Sequence, residues 1–397
     1  MLNNSFKGFL NSLLVLSWLL FPGEKMSAFS QSREFSRFYP ENQTLMEKFE
    51  GFVSGNDTIK DGQYLFYFPN GNKRQKGQFR NNLTDGKWHI YYESGDLHQI
   101  IHFSNGLRHG DYYSYYHDGS IMQKGSYSGG NLHGEFVSWY NDGNIESIIQ
   151  YHMGLQHGIK IINFSDGSPY QKITMHLGSE TGKWLQFHEN GMINYKGRRE
   201  NGEFTDTLRV YYENGSLQRM GVYLDGVLEG PYFAYHPNGQ VMIESFYLDG
   251  ILTGEYVEYY DNGNWSTRGN YYKNNREGDW VARYPDKKLY TKGTFRDGIF
   301  DGLWDVYFPN GNLKQIGKYL EGKPTGNWRF FREDGSIERT GRFINGLEQG
   351  IWVFFEKLPH NYPERYAHYI NGRTHGPLWH IKNGLTEKFF VRFGRQQ

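Results

Sequence analysis

The chain contains no cysteine, which excludes disulfides, thiolate metal sites, a cysteine nucleophile and a lipidated cysteine. Alanine is almost missing. Ala28, Ala234, Ala282 and Ala367 are its only four occurrences in 397 residues. Helices lean on alanine, whereas strands favour aromatic and β-branched residues, so the scarcity argues against a helical fold. Neither sign of charge is in excess: 43 basic side chains balance 43 acidic ones. No basic stripe marks a nucleic-acid partner. Aliphatic residues are too few for a thick core.

One long apolar run exists, at residues 9–21 (FLNSLLVLSWLLF), with Lys7 before it and Pro22-Gly23 after it. Its 13 residues suit a signal-peptide core and fall short of the roughly 20 needed to span a membrane. Ala28 and Ser30 occupy the −3 and −1 positions of a cut before Gln31. Residues 1–30 therefore read as a signal peptide or amino-terminal anchor. The expected destination is export to the periplasm, cell envelope or medium.

What the chain has in abundance is rings and glycine: 18% aromatic residues and 50 glycines. The glycines keep a 24-residue period, from Gly62, Gly86 and Gly110 through to Gly326 and Gly350, with Asp206 as the one miss. A second series runs nine residues behind, from Gly71 and Gly95 to Gly335, missing at Lys287 and Pro359. An unbroken period of this kind signals a tandem array in which each unit packs only on its neighbours.

Counting the first glycine as position 1, aromatics recur at position 3 (Trp88, Trp184, Trp280, Trp304, Trp328, Trp352). They recur again at position 6 (Tyr91, Tyr115, Tyr259, Tyr307) and at position 18 (Phe79, Phe103, Tyr271, Phe295, Tyr319). The second glycine usually follows Asn or Asp, as in Asn70-Gly71 and Asp118-Gly119. Such a pair predicts a tight type I′ hairpin turn there. A further Asn-Gly or Asp-Gly, as at Asn105-Gly106 and Asp249-Gly250, closes each unit. The unit reads as strand, tight turn, strand, short loop, with the two main glycine series assigned one to the turn and one to the connection. Turns this frequent leave no stretch for a stable helix.

The expected fold is all-β: hairpin units joined edge to edge into one long, twisted, open antiparallel sheet. The expected division is a linker at 31–48, repeats over 49–374 and a capping repeat at 375–397. Positions 3 and 6 have opposite parity. Either both faces carry aromatics or a bulge between them restores one aromatic face.

The unit GLWDVYFPNGNLKQIGKYLEGKPTG (residues 302–326) carries the pattern G-x-W-x-x-Y-Y-x-N-G-x-L followed by Y-x-x-G. It resembles the MORN repeat, in the variant form of YwqK-like antitoxins, over residues from about 50 to 390. The resemblance implies elongated hairpin arrays used as scaffolds, membrane-association modules or protein-binding surfaces.

No residue set points to catalysis. His109, His133 and His157 share the slot before the first glycine, as does His375. Equivalent positions in stacked units should lie about 10 Å apart, too far for one ion. No metal and no cofactor are expected. The aromatic rows are assigned chiefly to packing on the sheet face. The sequons at Asn42, Asn56, Asn82, Asn163, Asn214 and Asn264 matter only in a eukaryotic secretory route.

Irregular units are the better place for contacts. The unit at 158–180 loses its rings at positions 3, 6 and 18 and offers Lys160 and Asn163. The segment KLPHNYPE (357–364) expands a turn and offers Pro359, His360, Asn361 and Tyr362. These six residues are the candidate partner contacts. The function read from the sequence is a non-catalytic, exported scaffold that binds a protein through its aromatic-rich β-surface. The alternatives are a membrane- or envelope-associated scaffold touching lipid or glycan, and an antitoxin that binds a toxin.

Overall fold

A computed structural model describes residues 32–396 apart from 42, 358, 383–384 and 393–394. The expected signal segment, residues 1–30, lies outside the described residues. The described chain is all-β, a single open sheet of 32 strands. Neighbouring strands pair antiparallel in sequence order, with Asn131–Leu132 and Gly134–Trp139 both on Ile121–Ser128, so the array is a meander. The stretch expected as a linker is part of it. Arg33–Phe38 and Leu45–Ser54 are strands, paired with each other and onward to Asp57–Tyr67. At about 4.8 Å per strand, each two-stranded unit advances the sheet by about 10 Å.

The two turn types are the reverse of the expectation. The Asn-Gly or Asp-Gly of the second series belongs to a three-residue loop. Tyr92 N–H donates to Asp96 O, and Gly95 N–H to Tyr92 O, both at 2.9 Å. Only the glycine has positive φ (Gly95 +100°, Gly71 +87°). This is a type I turn followed by a left-handed residue. The Asn or Asp ahead of the glycine is selected for its side chain. Asn70 Oδ1 accepts the Asn72 N–H at 2.9 Å, and Asp118 Oδ1 accepts the Ser120 N–H at 2.9 Å. The unit closure is the true type I′ turn, with both central residues at positive φ, as in Asp249 (+50°) and Gly250 (+74°).

The first glycine series is not in a connection at all. It sits inside a strand, at a bulge. Lys76 pairs with His89 but Gln78 pairs with Asp85, so Gly77 alone faces Gly86, Lys87 and Trp88. Here φ stays positive in every unit, including +62° at Asp206, where the glycine is missing.

The bulge seats a ring. Gly77, Gly125, Gly269, Gly293, Gly317 and Gly341 lie at position 16, a third series whose purpose is space. A Cβ on Gly317 would fall 2.0 Å from Trp328 Cδ2, and one on Gly293 would fall 2.2 Å from Trp304 Cδ2. Five of the six position-3 indoles thus lie flat on the glycine of the preceding return strand, the exception being Trp184, which faces Ile173. Trp280 and Trp304 also donate their indole N–H to Asn270 O and Thr294 O, each at 3.1 Å.

Position 18 rings fill the intervals edge-on. From Tyr256 the contacts run through Tyr271, Trp280, Phe295, Trp304, Tyr319, Trp328, Phe343 and Trp352 to Tyr369, at 5.0–6.3 Å between centroids. Trp328 is 2% exposed and Trp352 0%, although among the described residues no second layer covers them. Ring pairs of this geometry contribute about 0.5–1.5 kcal/mol each beyond their buried area. At the amino-terminal end charged groups join the rings. Buried Glu47 pairs with Arg37 and Lys60, and the Lys60 ammonium lies over the rings of Phe49, Tyr64 and Phe79.

The parity question has its first answer: both faces carry aromatics. The register slips on the return strand, between the partners of Ile90 and Tyr91, and leaves positions 3 to 6 alternating. Position 6 therefore shares the second face with position 4, where Tyr91 stacks on His89.

Two substitutions test this account. Gly317→Ala should lower stability by about 1–3 kcal/mol, because the indole of Trp328 must leave its seat. Lys287→Gly, at φ +73° on an exposed loop, should raise it by about 1 kcal/mol. Urea midpoints at unchanged m-value measure both. A neutral Gly317→Ala would show that the seat is not required.

Candidate partner-binding surface

The sheet has two rims, one of three-residue loops and one of closure turns. The loop rim is stapled. The side chain at position 7 reaches the carbonyl of position 6 in the next unit. Tyr92 donates to Tyr115 O (2.8 Å), Tyr212 to Tyr235 O (2.9 Å), Tyr260 to Arg283 O (2.8 Å) and Tyr284 to Tyr307 O (2.9 Å). His188 and His236 do the same through Nε2, and Arg332 through its guanidinium. Tyr92 is also held between His98 and His117, at 4.2 and 3.7 Å between centroids. Burial holds the His98 imidazole below its usual pKa. The loop amides add a second line of bonds: Asn310 and Asn312 both donate to Glu333 O, at 2.6 and 2.9 Å. Sequence reasoning missed position 7; its signal was a polar-tipped ring recurring where packing alone would accept Phe.

Of the expected contacts, Asn163 serves the frame. It donates from Nδ2 to Ile145 O at 2.9 Å and accepts Tyr140 OH at its carbonyl. Lys160 takes a ring position in the strand Leu155–Asn163, paired across to Ile149 and Ile173, and interrupts the ring ladder there. Pro359, His360, Asn361 and Tyr362 lie on the enlarged loop closed by Glu356 N–H to Tyr362 O. Tyr362 is 66% exposed and stacks on His360 at 6.0 Å. Asn361, at φ +50°, takes over the role of the missing glycine. Eight units, or about 80 Å, separate the two groups, so they do not form one site.

The feature the sequence reading overlooked is the closure rim. Positions 19 and 22 flank each type I′ turn and face each other across it. In the carboxy-terminal half three of these pairs are apolar on both sides, Leu224 with Val227, Leu248 with Ile251 and Ile344 with Leu347, while Ile299 faces Arg296 and Leu320 faces Lys323. Leu224, Leu248, Leu320 and Leu347 are 59%, 52%, 53% and 48% exposed, and exposed Ile299 occupies the same position in its unit. In the amino-terminal half the same positions mix exposed Leu83, Leu107 and Leu155 with Ser104, Ser179, Glu200 and Glu203, so no pair there is apolar on both sides. The signal was present as apolar residues on both sides of a turn, where polar ones are usual.

A second concavity lies mid-array on the loop rim. Two adjoining cavities of about 560 and 510 Å³ share His188, Asn194 and Glu213, with rings from Phe164, Tyr170, Tyr195 and Tyr212. Gln186 Nε2 donates to Tyr170 OH at 3.2 Å across it. Among the described residues no group of three or more His, Asp or Glu side chains is arranged to hold a metal ion.

The ring-face phenols carry the electrostatic signature of their burial. Burial raises the pKa of Tyr112, Tyr223, Tyr247, Tyr319 and Tyr369, and pushes Tyr256 up to about 12.

Seven segments match the family model of the MORN repeat variant: residues 60–81, 84–105, 108–128, 132–153, 180–201, 228–249 and 300–321. Each match falls within the hairpin array. No curated protein matches the chain. Solved structures similar to it include TcdB2-TccC3, with 10% identity and TM-score 0.17 over 91% of this chain and 21% of that one. The TcdB2-TccC3-Cdc42 structure has 9% identity and TM-score 0.13, covering 88% and 24%. A Photorhabdus luminescens Tc holotoxin pore has 9% identity and TM-score 0.16, covering 91% and 20%. The chain thus spans between a fifth and a quarter of the length of these relatives.

The raised phenols set an alkaline limit. Above pH 10 the unfolded chain loses phenolic protons that the folded sheet keeps, so stability falls as pH rises from about 10 towards 12. Tyrosinate absorbance and far-ultraviolet circular dichroism should change together in that window. Full ionisation with the strands intact would contradict the burial.

Proposed function

We propose that this chain of MORN-variant repeats is a non-catalytic scaffold that binds a protein partner along its closure rim. The observation that carries the reading is the exposed apolar row from Leu224 to Leu347. Large exposed apolar patches mark interaction surfaces. Apolar side chains spaced at multiples of about 10 Å let one partner make several similar contacts, each adding avidity. The apolar run at 9–21 supports export, which would place the scaffold in the periplasm, envelope or medium. A toxin as the protein partner is the antitoxin form of the same reading. A glycan is a second reading, favoured by the loop-rim groove. There Phe164, Tyr170 and Tyr212 offer ring faces beside the amides of Asn190 and Asn194, the pairing of surfaces that sugars need.

Photo-cross-linkers placed at Leu248 and Leu320 of the full chain, in its own cells, should yield one discrete protein adduct. Leu248→Glu with Leu320→Glu should lower recovery of that protein at least tenfold without altering the circular dichroism spectrum. Equal yields from linkers at Ser104 and Ser179, on the same rim but outside the apolar pairs, would sink the assignment to those pairs. Glycan-array binding lost on Tyr212→Ala would favour the groove instead.

A further inference from the structure

The histidine slot is half of a longer row. In one hairpin Gly134 pairs with Tyr151, which puts His133 opposite His152 at the next step. In the following hairpin Gly158 pairs with Met175, which puts His157 opposite His176. The type I′ turn at Met153 and Gly154 then folds His152 back towards His157. The four rings form one line, with centroids 5.4 Å apart from His133 to His152, 5.9 Å from His152 to His157 and 5.1 Å from His157 to His176. The 10 Å expected between histidines of one slot is therefore halved by the return-strand histidines standing between them.

That spacing has chemical meaning. A metal-bound imidazole nitrogen at 2.0–2.1 Å puts its ring centroid about 3.2 Å from the ion, so two imidazoles on a tetrahedral ion have centroids about 5.2 Å apart. The two cross-strand pairs, at 5.4 and 5.1 Å, meet that requirement. His133, His152 and His176 are exposed to solvent, and His157 is half-buried. The His157 Nδ1 is buried without a hydrogen-bond partner, which leaves a lone polar atom to account for. In other units the facing positions are mixed, such as Asp85 with Ser104, His109 with Ser128 and Thr181 with Glu200.

We propose that this row binds divalent transition-metal ions, one per cross-strand pair: His133 with His152, and His157 with His176. Two neutral imidazoles per ion select zinc, copper or nickel, with water completing the coordination. The row supplies no carboxylate, so magnesium and calcium are poor occupants.

The test uses the full chain without a polyhistidine tag. Titration with zinc chloride by calorimetry should give two ions per chain. Paramagnetic resonance of the copper-loaded protein should show two nitrogen ligands per ion. His152→Gln with His176→Gln should weaken zinc binding at least tenfold, with unchanged circular dichroism. His109→Gln with His375→Gln should leave it as it was. Absence of saturable binding, or binding that survives the His152→Gln and His176→Gln pair, would overturn the proposal.

Discussion

Everything in this sheet depends on an indole lying flat on a glycine. A single layer has no opposing layer to bury its side chains, so the aromatic face must bury itself. Trp328 does this by resting on Gly317, where even one added methyl carbon would overlap the ring. The bulge next to the position-1 glycine makes the approach geometrically open. The edge-on rings of Tyr319 and Phe343 then close the sides. Side-chain burial that usually needs two layers is achieved sideways, along the array, and its unit is the neighbouring repeat.

The rims convert that packing into a fixed pitch. On the loop side, Tyr260 and its equivalents reach the next unit's backbone. On the closure side, each turn donates back to the previous unit, as Gly250 does to Leu228 O at 2.9 Å. Ring contacts, loop staples and turn bonds all span one repeat. One residue more or fewer within a strand would break the three together, which is a physical reason for the period that holds from Gly62 to Gly350. Where the ring is replaced, at Lys160, the rims still hold the register while the ladder is interrupted.

Much of this architecture could be read in the sequence, because a period is visible without knowing what each position does. The hairpins, the edge-to-edge stacking and the all-β character followed from glycine spacing and ring recurrence. The turn assignments did not, because Asn-Gly serves two purposes. At Asp249-Gly250 both residues supply positive φ, whereas at Asn70-Gly71 the asparagine supplies a side-chain acceptor. Tyr260 escaped notice because its target is a carbonyl 23 residues away, which no side-chain pattern encodes. The apolar rim and the histidine row escaped for a related reason. Each is made by two different slots facing each other, while the comparison of units lined up like with like.

Because Trp328, Tyr260 and Gly250 all reach only to an adjoining unit, every joint in the array is interchangeable in kind. The gene can therefore gain or lose length without redesign, provided that it does so in whole multiples of 24 codons. Unequal recombination between neighbouring repeats would supply such changes directly. Each event would move the two ends of the sheet by about 10 Å and leave every surviving contact in place. The glycine seat that lets a ring bury itself thus also makes the protein a ruler that heredity can cut or extend by one fixed increment.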